Sequence, residues 1–379
     1  MHSSFEPAQP APDRSAATAN GLRVLVAAWV GSENVGDELL FACLRRRLSA
    51  LGAEVAVISK SPVATERLHQ VRAIHHQDLR ALHREVTRSH ALVFGGGGLL
   101  QDGTSLLNLP FHLSRVELAK VCRVPFIGMG LGVGPLKFRA SSWLVRTALT
   151  GHRGLTVRDE ASAHLLRQCG LSNIQVTADM ALALEPGLAT ASDQIVLALR
   201  DYSEGLIPTR FRRSVASEEM VVKLAAALDE IQRRTGLHLR FLAFEGKRDE
   251  QFNRSVAARM RMNNFSFATP DVDGLLEEMG RGRLTIAMRY HGGVTSVVAE
   301  RPVVLIGYAP KVSALATALG DDCRYLPHDP RAFEELPELV VAMLARGSST
   351  LRSRRVRLQD AERLNHRILE SFLLEVAGR

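Results

Sequence analysis

The residues best suited to chemistry stand close together. Met288-Arg289-Tyr290-His291-Gly292-Gly293 follows an apolar run, 283–287, that reads as a strand. Lys311, one of only six lysines in the chain, follows the next such run, 303–306. An arginine and a lysine converging on one pocket bind a carboxylate or a phosphate. A histidine between them can transfer a proton near neutral pH. Four other segments also follow strand-like runs directly. In the first, Gly31 to Glu38, two adjacent carboxylates, Asp37 and Glu38, stand at the mouth of a sheet. There a carboxylate accepts hydrogen bonds from a sugar hydroxyl or acts as a general base, while Asn34 or Asp37 is also suited to capping the next helix. The second, Gly95 to Asp102, opens with four consecutive glycines that ordinary packing does not require. The expectation is a loop in which a ligand lies on bare backbone N–H groups at a helix N-terminus, around Gly96, Gly97, Gly98 and Gln101. The third, Gly128 to Pro135, exposes backbone in the same way at Gly130 and Gly132, with Gly36 providing close approach in the first loop. In the fourth, Arg158 ends the run 154–157 and Asp159 is placed to cap the helix that follows.

The elements that must position these groups alternate. Strand-like runs at 23–29, 54–58, 91–94, 125–128 and 154–157 are separated by amphipathic segments near 37–50, 105–121, 139–150 and 160–169. A second set, 194–199, 238–243, 283–287 and 303–306, alternates with helical patterns at 217–235, 249–260, 291–300 and 311–319. Repeated βα units with apolar strands predict parallel sheets covered on both faces. The stretch 185–193, with Pro, Gly and Ser and no periodicity, marks a boundary. The expected organisation is therefore a flexible tail over 1–20, a Rossmann-like domain over 21–187, a second over 188–350, and a C-terminal amphipathic helix over 351–379. Ligands of open α/β sheets bind beyond the carboxyl ends of the strands, so the chemistry belongs in a cleft between two such edges.

The C-terminal helix repeats Leu358, Ala361, Leu364, Ile368 and Phe372 at intervals of three or four. It reads as a closing helix that packs on the domains. Its opening cluster, Arg352, Arg354, Arg355 and Arg357, adds the reading of a membrane-surface helix.

Composition narrows the partners. The chain of 379 residues carries a formal net charge of +8, and its basic residues are mostly arginine, which suits anionic ligands. Aromatic residues make up 5% and no basic stretch is interleaved with them, which argues against nucleic acid. No apolar run approaches the ~18 residues of a membrane span, and residues 1–20 lack the pattern of a secretory signal. Four cysteines without CxxC spacing point to neither a zinc site nor a disulfide scaffold, and fit a reducing cytoplasm. His69, His75, His76, His83 and His90 have no metal-ligand spacing and read as surface residues. The glycine spacing is neither a dinucleotide fingerprint nor a P-loop. No metal and no cofactor are expected.

In order, NVGDELL, GGGGLLQD, GMGLGVGPL, VRDEAS, TADMAL and MRYHGGVTSVVAERPVVLIGYAPKV resemble the polysaccharide pyruvyl transferase family, and more narrowly its bacterial cell-wall members. These motifs span about 34 to 312. The resemblance implies an α/β fold similar to GT-B glycosyltransferases, with two Rossmann-like domains facing a cleft. It implies phosphoenolpyruvate as donor co-substrate and a sugar residue of a cell-wall polysaccharide or exopolysaccharide as acceptor, lipid-linked or free. With the cysteine usage, the expected location is the cytoplasm, and the arginine cluster of the last helix adds the reading of peripheral contact at the inner face of the plasma membrane. Arg158, Arg289, His291 and Lys311 match the family's donor-binding positions, His291 as general acid, and Asp37 or Glu38 would act on the acceptor. The family's usual Arg-Leu-His is Arg289-Tyr290-His291 here, and Ala309 replaces an acid. Two other readings stay open: a nucleotide-sugar-dependent glycosyltransferase of similar architecture, and a non-catalytic glycan-binding protein.

Overall fold

The first set of strand-like runs builds one sheet. The computed structural model describes residues 21–103, 105–187, 189–201, 215–307, 310–347 and 350–378. The tail expected over 1–20 lies outside the described residues, as do Tyr308 and Ala309. The strands are β1 (Arg23–Val30), β2 (Glu54–Ser59), β3 (Arg72–His75), β4 (Ala91–Leu100), β5 (Phe126–Val133), β6 (Leu155–Val157) and β7 (Ile174–Val176). Their spatial order is β3-β2-β1-β4-β5-β6-β7, with every pairing parallel. The connecting helices are α1 (Val35–Ala50), α2 (Pro62–His69), α3 (Leu79–Arg88), α4 (Asn108–Val121), α5 (Arg139–Leu149) and α6 (Glu160–Gln168).

A second sheet repeats the plan with β8 (Gln194–Ala198), β9 (His238–Leu242), β10 (Phe265–Ala268), β11 (Leu284–Ala287), β12 (Val303–Gly307) and β13 (Cys323–Pro327). Its order, β10-β9-β8-β11-β12-β13, reverses direction at the same step as the first. Its helices are α7 (Val215–Thr235), α8 (Gly246–Ala257), α9 (Leu275–Arg281), α10 (Tyr290–Val298), α11 (Pro310–Leu319) and α12 (Leu336–Arg346). In the central strands consecutive side chains are buried, as in Val24, Leu25 and Val26 or Ile195, Val196 and Leu197. This is the pattern of a parallel sheet covered on both faces. One continuous apolar cluster joins the two halves, running from Val26 and Val57 through Phe244 and Ala287 to Leu369.

The last helix, α13 (Leu351–Ala377), leaves the second half and packs back on the first. Leu369, Phe372 and Leu373 are buried. Asn365, fully buried, accepts from Thr156 Oγ1 at 2.6 Å and Thr177 Oγ1 at 2.9 Å and donates to the Ala178 carbonyl at 3.0 Å. A buried amide satisfied on both ends costs little and fixes the helix in one position. Within its arginine cluster, Arg355 is buried between Glu185 and Glu300, and Arg354 pairs with Asp322. Two of the four guanidiniums thus hold the fold together.

Two expectations need correction. The glycine runs are not loops at helix N-termini: β4 continues through Gly95–Gly98 and β5 through Gly128–Gly132, paired as Gly95↔Met129 and Gly97↔Leu131. The reason is crowding, since a Cβ on Gly95 would overlap the Met129 carbonyl, and Gly95 also has φ +145°. His69 is not on the surface: it is buried, with Nε2 2.7 Å from Glu38 Oε2 and its ring edge-on to Phe41. The histidine-rich stretch holds α2, β3 and α3, which are short and polar, so that even the amphipathic pattern of α3 is masked by its charge.

Candidate active site between the two sheets

In each sheet the strand order reverses beside its first strand, between β1 and β4 and between β8 and β11. Crevices at such points are where open α/β sheets take ligands. The two crevices face each other, and their loops touch. Asn34, whose side chain caps α1 through the Gly36 N–H at 3.1 Å, forms a backbone bridge with Glu245. The Val35 N–H donates to the Phe244 carbonyl at 2.8 Å.

His291 sits in the first turn of α10, at the carboxyl end of β11. Its side chain is 11% exposed, and Nε2 lies 3.8 Å from Asp179 Oδ2 with no hydrogen-bond partner. Gly36, from the other half, packs directly against the ring: any Cβ there would overlap the imidazole. Burial pushes His291 down to about 4, against the pull of Asp179 and with the help of Arg158 and Lys311. It is therefore an uncharged imidazole at neutral pH.

Arg158, buried at the end of β6, donates to Asp179 Oδ2 at 3.3 Å and stacks on Tyr290, with its guanidinium carbon 3.9 Å from the ring centroid. Burial works against its charge, but Tyr290, Asp179 and Asp159 outweigh it and hold the group above its ordinary value. Its Nε has no hydrogen-bond partner. Lys311, in the first turn of α11, reaches the same place, with Nζ 5.9 Å from the Tyr290 centroid. Both cations converge on Gly98: a Cβ there would stand 3.8 Å from Lys311 Nζ and 3.9 Å from an Arg158 terminal nitrogen. Among the described residues Lys311 has no ion-pair or hydrogen-bond partner. Burial, then Arg158 and Arg200, push it down to about 7.

The paired carboxylates part company. Asp37 points into the site, near Gly97, where burial drives it up to about 7 despite Lys311. Glu38 points the other way: Oε1 accepts from the Gly31 N–H at 2.7 Å and Oε2 meets His69. Arg289 is also differently employed than the sequence suggests. Its NH2 group bonds Glu245 at 2.7 Å and the fully buried Asp249, leaving Nε without a partner. Asp249 in turn accepts from the Phe244 and Glu245 N–H groups at 3.1 and 2.9 Å. Arg289 therefore braces the 244–249 turn, and that turn carries the contact between the halves.

The remaining glycines divide by direction. Gly132 lies beneath Arg158, where a Cβ would come within 2.5 Å of the guanidinium. Gly96 and Gly130 instead face Met180 in the core. The Gln101 carbonyl, beyond β4, accepts from Asn108 Nδ2 at 2.9 Å. Sequence reasoning did not single out Asp179, Tyr290, Glu245, Asp249 or Arg200. Asp179 and Tyr290 lie inside quoted motifs. Glu245 and Asp249 lie about 40 residues before their arginine, with no local signal. Among the described residues no group of three His, Cys, Asp or Glu side chains is placed to hold a metal ion.

Solved structures share this architecture. The S. aureus MnaA–UDP co-structure superposes with a TM-score of 0.60 at 10% identity, covering 86% of this chain and 92% of that one. The UDP-GlcNAc 2-epimerase of Neisseria meningitidis, bound to UDP-GlcNAc, gives 0.56 at 9%, covering 92% and 99%. A glycosyltransferase from Rickettsia africae gives 0.55 at 10%, covering 94% and 98%. At such identities the likeness shows the GT-B-like fold alone. No curated protein matches the chain in sequence. The family profile described as polysaccharide pyruvyl transferase matches residues 34–310. By that match, over most of its length, the chain belongs to the polysaccharide pyruvyl transferase family.

Proposed function

We propose that the protein transfers pyruvate from phosphoenolpyruvate to two hydroxyls of a sugar residue, forming a ketal and releasing phosphate. The observation that carries this reading is the meeting, at Gly98, of cations from both halves, Lys311 and Arg158, with His291 across Asp179; among the described residues Lys311 Nζ, Arg158 Nε and His291 Nε2 have no hydrogen-bond partner. Phosphoenolpyruvate carries a phosphate and a carboxylate, and buried cations answer both charges more strongly than they would in water. Protonation of its C3 methylene makes C2 electrophilic. A sugar hydroxyl adds to C2 and loses its proton; phosphate then leaves with the C2–O bond electrons, and a second hydroxyl closes the ketal, its proton passing to the released phosphate.

Asp37 is the carboxylate positioned to take the hydroxyl proton, since its affinity for protons is raised to about 7. His291 is the candidate acid. The anionic donor beside it raises its proton affinity in the way Asp179 already does. His291→Ala is expected to reduce phosphate release from phosphoenolpyruvate and acceptor by about 10²–10⁴-fold with the melting temperature retained. Full activity in that variant would remove His291 from the scheme. The fold likeness to nucleotide-sugar enzymes keeps one rival. Thermal melts with phosphoenolpyruvate and with UDP-GlcNAc decide between them, because a ligand that binds only the folded state raises the midpoint. Stabilisation by UDP-GlcNAc alone would overturn the proposal.

A further inference from the structure

The glycine floor of the site runs straight into an unusual surface. Beyond Gly98, β4 leads to the start of α4, where Leu106 and Leu107 are 58% and 75% exposed. Beyond Gly132, β5 leads to the start of α5, where Phe138 is 40% and Trp143, one of two tryptophans in the chain, 64% exposed. The two segments are tied together: the buried Asp102 carboxylate accepts from the Lys137 and Phe138 N–H groups at 2.8 and 3.2 Å. The residues capping α4 and α5 are Leu107 and Phe138 themselves, and neither supplies a side-chain cap. Helix starts normally carry a polar residue there, so packing and capping do not account for these side chains.

The charge around them has one sign. Lys137 and Arg139 flank Phe138, Arg146 lies one turn beyond Trp143, and all three are exposed. Among the described residues none of the three makes an ion pair. From Leu118 to Arg158 the chain contains no Asp or Glu, and from Gly103 to Val116 it contains none either. By contrast, the arginine cluster of α13 has two of its members in internal ion pairs. Exposed tryptophan, phenylalanine and leucine ringed by unpaired cations match an anionic lipid surface: the apolar groups enter the headgroup region and the cations meet lipid phosphates.

We propose that the starts of α4 and α5 dock this protein on an anionic bilayer, with the mouth of the cleft held beside the membrane. An acceptor carried on a lipid would then reach the Gly97–Gly98 floor from the membrane side. That consequence rests on the pyruvyl-transfer reading; the docking itself does not. The test is flotation of the full chain with vesicles of phosphatidylcholine alone or with added phosphatidylglycerol. Binding is expected only with phosphatidylglycerol, lost at high salt, and at least about tenfold weaker in Lys137→Glu/Arg139→Glu and in Phe138→Ser/Trp143→Ser. A blue shift of tryptophan emission on adding the anionic vesicles, absent in Trp143→Phe, reads the same contact in a variant that keeps its packing. Phosphoenolpyruvate melts of each variant are expected to match the parent, so that docking and donor binding fail separately. Four results would each overturn the proposal: no binding, equal binding to both vesicles, loss through Arg352→Glu/Arg357→Glu instead, or a dimer dissociated by Phe138→Ser/Trp143→Ser.

Discussion

The two crossover points that face each other share one topology and contribute in different proportions. The second half brings polar groups, Arg289, Tyr290, His291 and Lys311, on the first turns of two helices. The first half brings Arg158, Asp179 and Asp37, and the room around them. Gly36 clears the imidazole, Gly132 clears the Arg158 guanidinium, and Gly98 leaves the floor bare under two cations. Asp179 connects the two, touching Arg158 on one side and His291 on the other. A glycine-rich strand edge in such a site provides clearance for side chains from both halves, Arg158 from its own and His291 and Lys311 from the other.

The sharpest way to break that division is to fill the space. Gly36→Ala puts a methyl group into the His291 ring, and a displacement of about 1 Å at a reacting group costs on the order of 100-fold in turnover. Steady-state phosphate release should therefore collapse while the circular dichroism spectrum stays that of the parent. An unaffected rate would show that His291 has room to spare.

Next in size is the brace. Asp249→Asn leaves buried Arg289 with one carboxylate in place of two, and removing a partner from a buried ion pair costs about 3 kcal/mol. A denaturant melt should register that loss, together with weaker donor binding as the 244–249 turn loosens. An unchanged melt would mean that Glu245 suffices.

The pH dependence sharpens the comparison at Lys311. Burial and neighbouring arginines put its ammonium at about 7, below its usual 10.5. Above pH 7 an anionic donor must bring a proton with it. Affinity for phosphoenolpyruvate should fall toward about tenfold per pH unit between pH 7 and 9. The sign is opposite for unliganded stability, which should rise over pH 7–10.5, because there the unfolded chain binds the proton that the folded one has released. Titrating donor affinity in Lys311→Arg, whose guanidinium stays charged, should flatten the profile. A slope that survives would assign it to another group.

The smallest effect concerns Tyr290. Tyr290→Leu restores the residue usual in the family and removes the ring beneath Arg158 and near Lys311. A desolvated cation–π contact is worth about 1–2 kcal/mol, so donor affinity should drop about five- to thirtyfold with little change in the rate at saturation.

Much of this was legible in the chain. Apolar runs with helical segments between them announced two parallel sheets, and the positions of Arg158, His291 and Lys311 after strand-like runs pointed to the crevice in which the structure brings them together. The glycine runs misled because glycine marks turns locally, whereas here a ladder to a distant strand keeps Gly95–Gly98 extended. The choice between Asp37 and Glu38 was invisible. Neighbours on a helix diverge by about 100°, and only the position of His69 says which of the two looks into the core.

Residue type and periodicity announced the doubly wound halves, because short-range hydrogen bonding and apolar burial act along the chain, and the ordered motifs carried the resemblance to the family. Folding in three dimensions decided how each charge is employed. Arg289 is matched by carboxylates some 40 residues upstream, Asp179 links two domains, and Lys311 alone among the cleft's cations has no hydrogen-bond or ion-pair partner among the described residues. Coulomb energy depends on distance in space and on what excludes water between the charges, and neither can be read from separation in sequence.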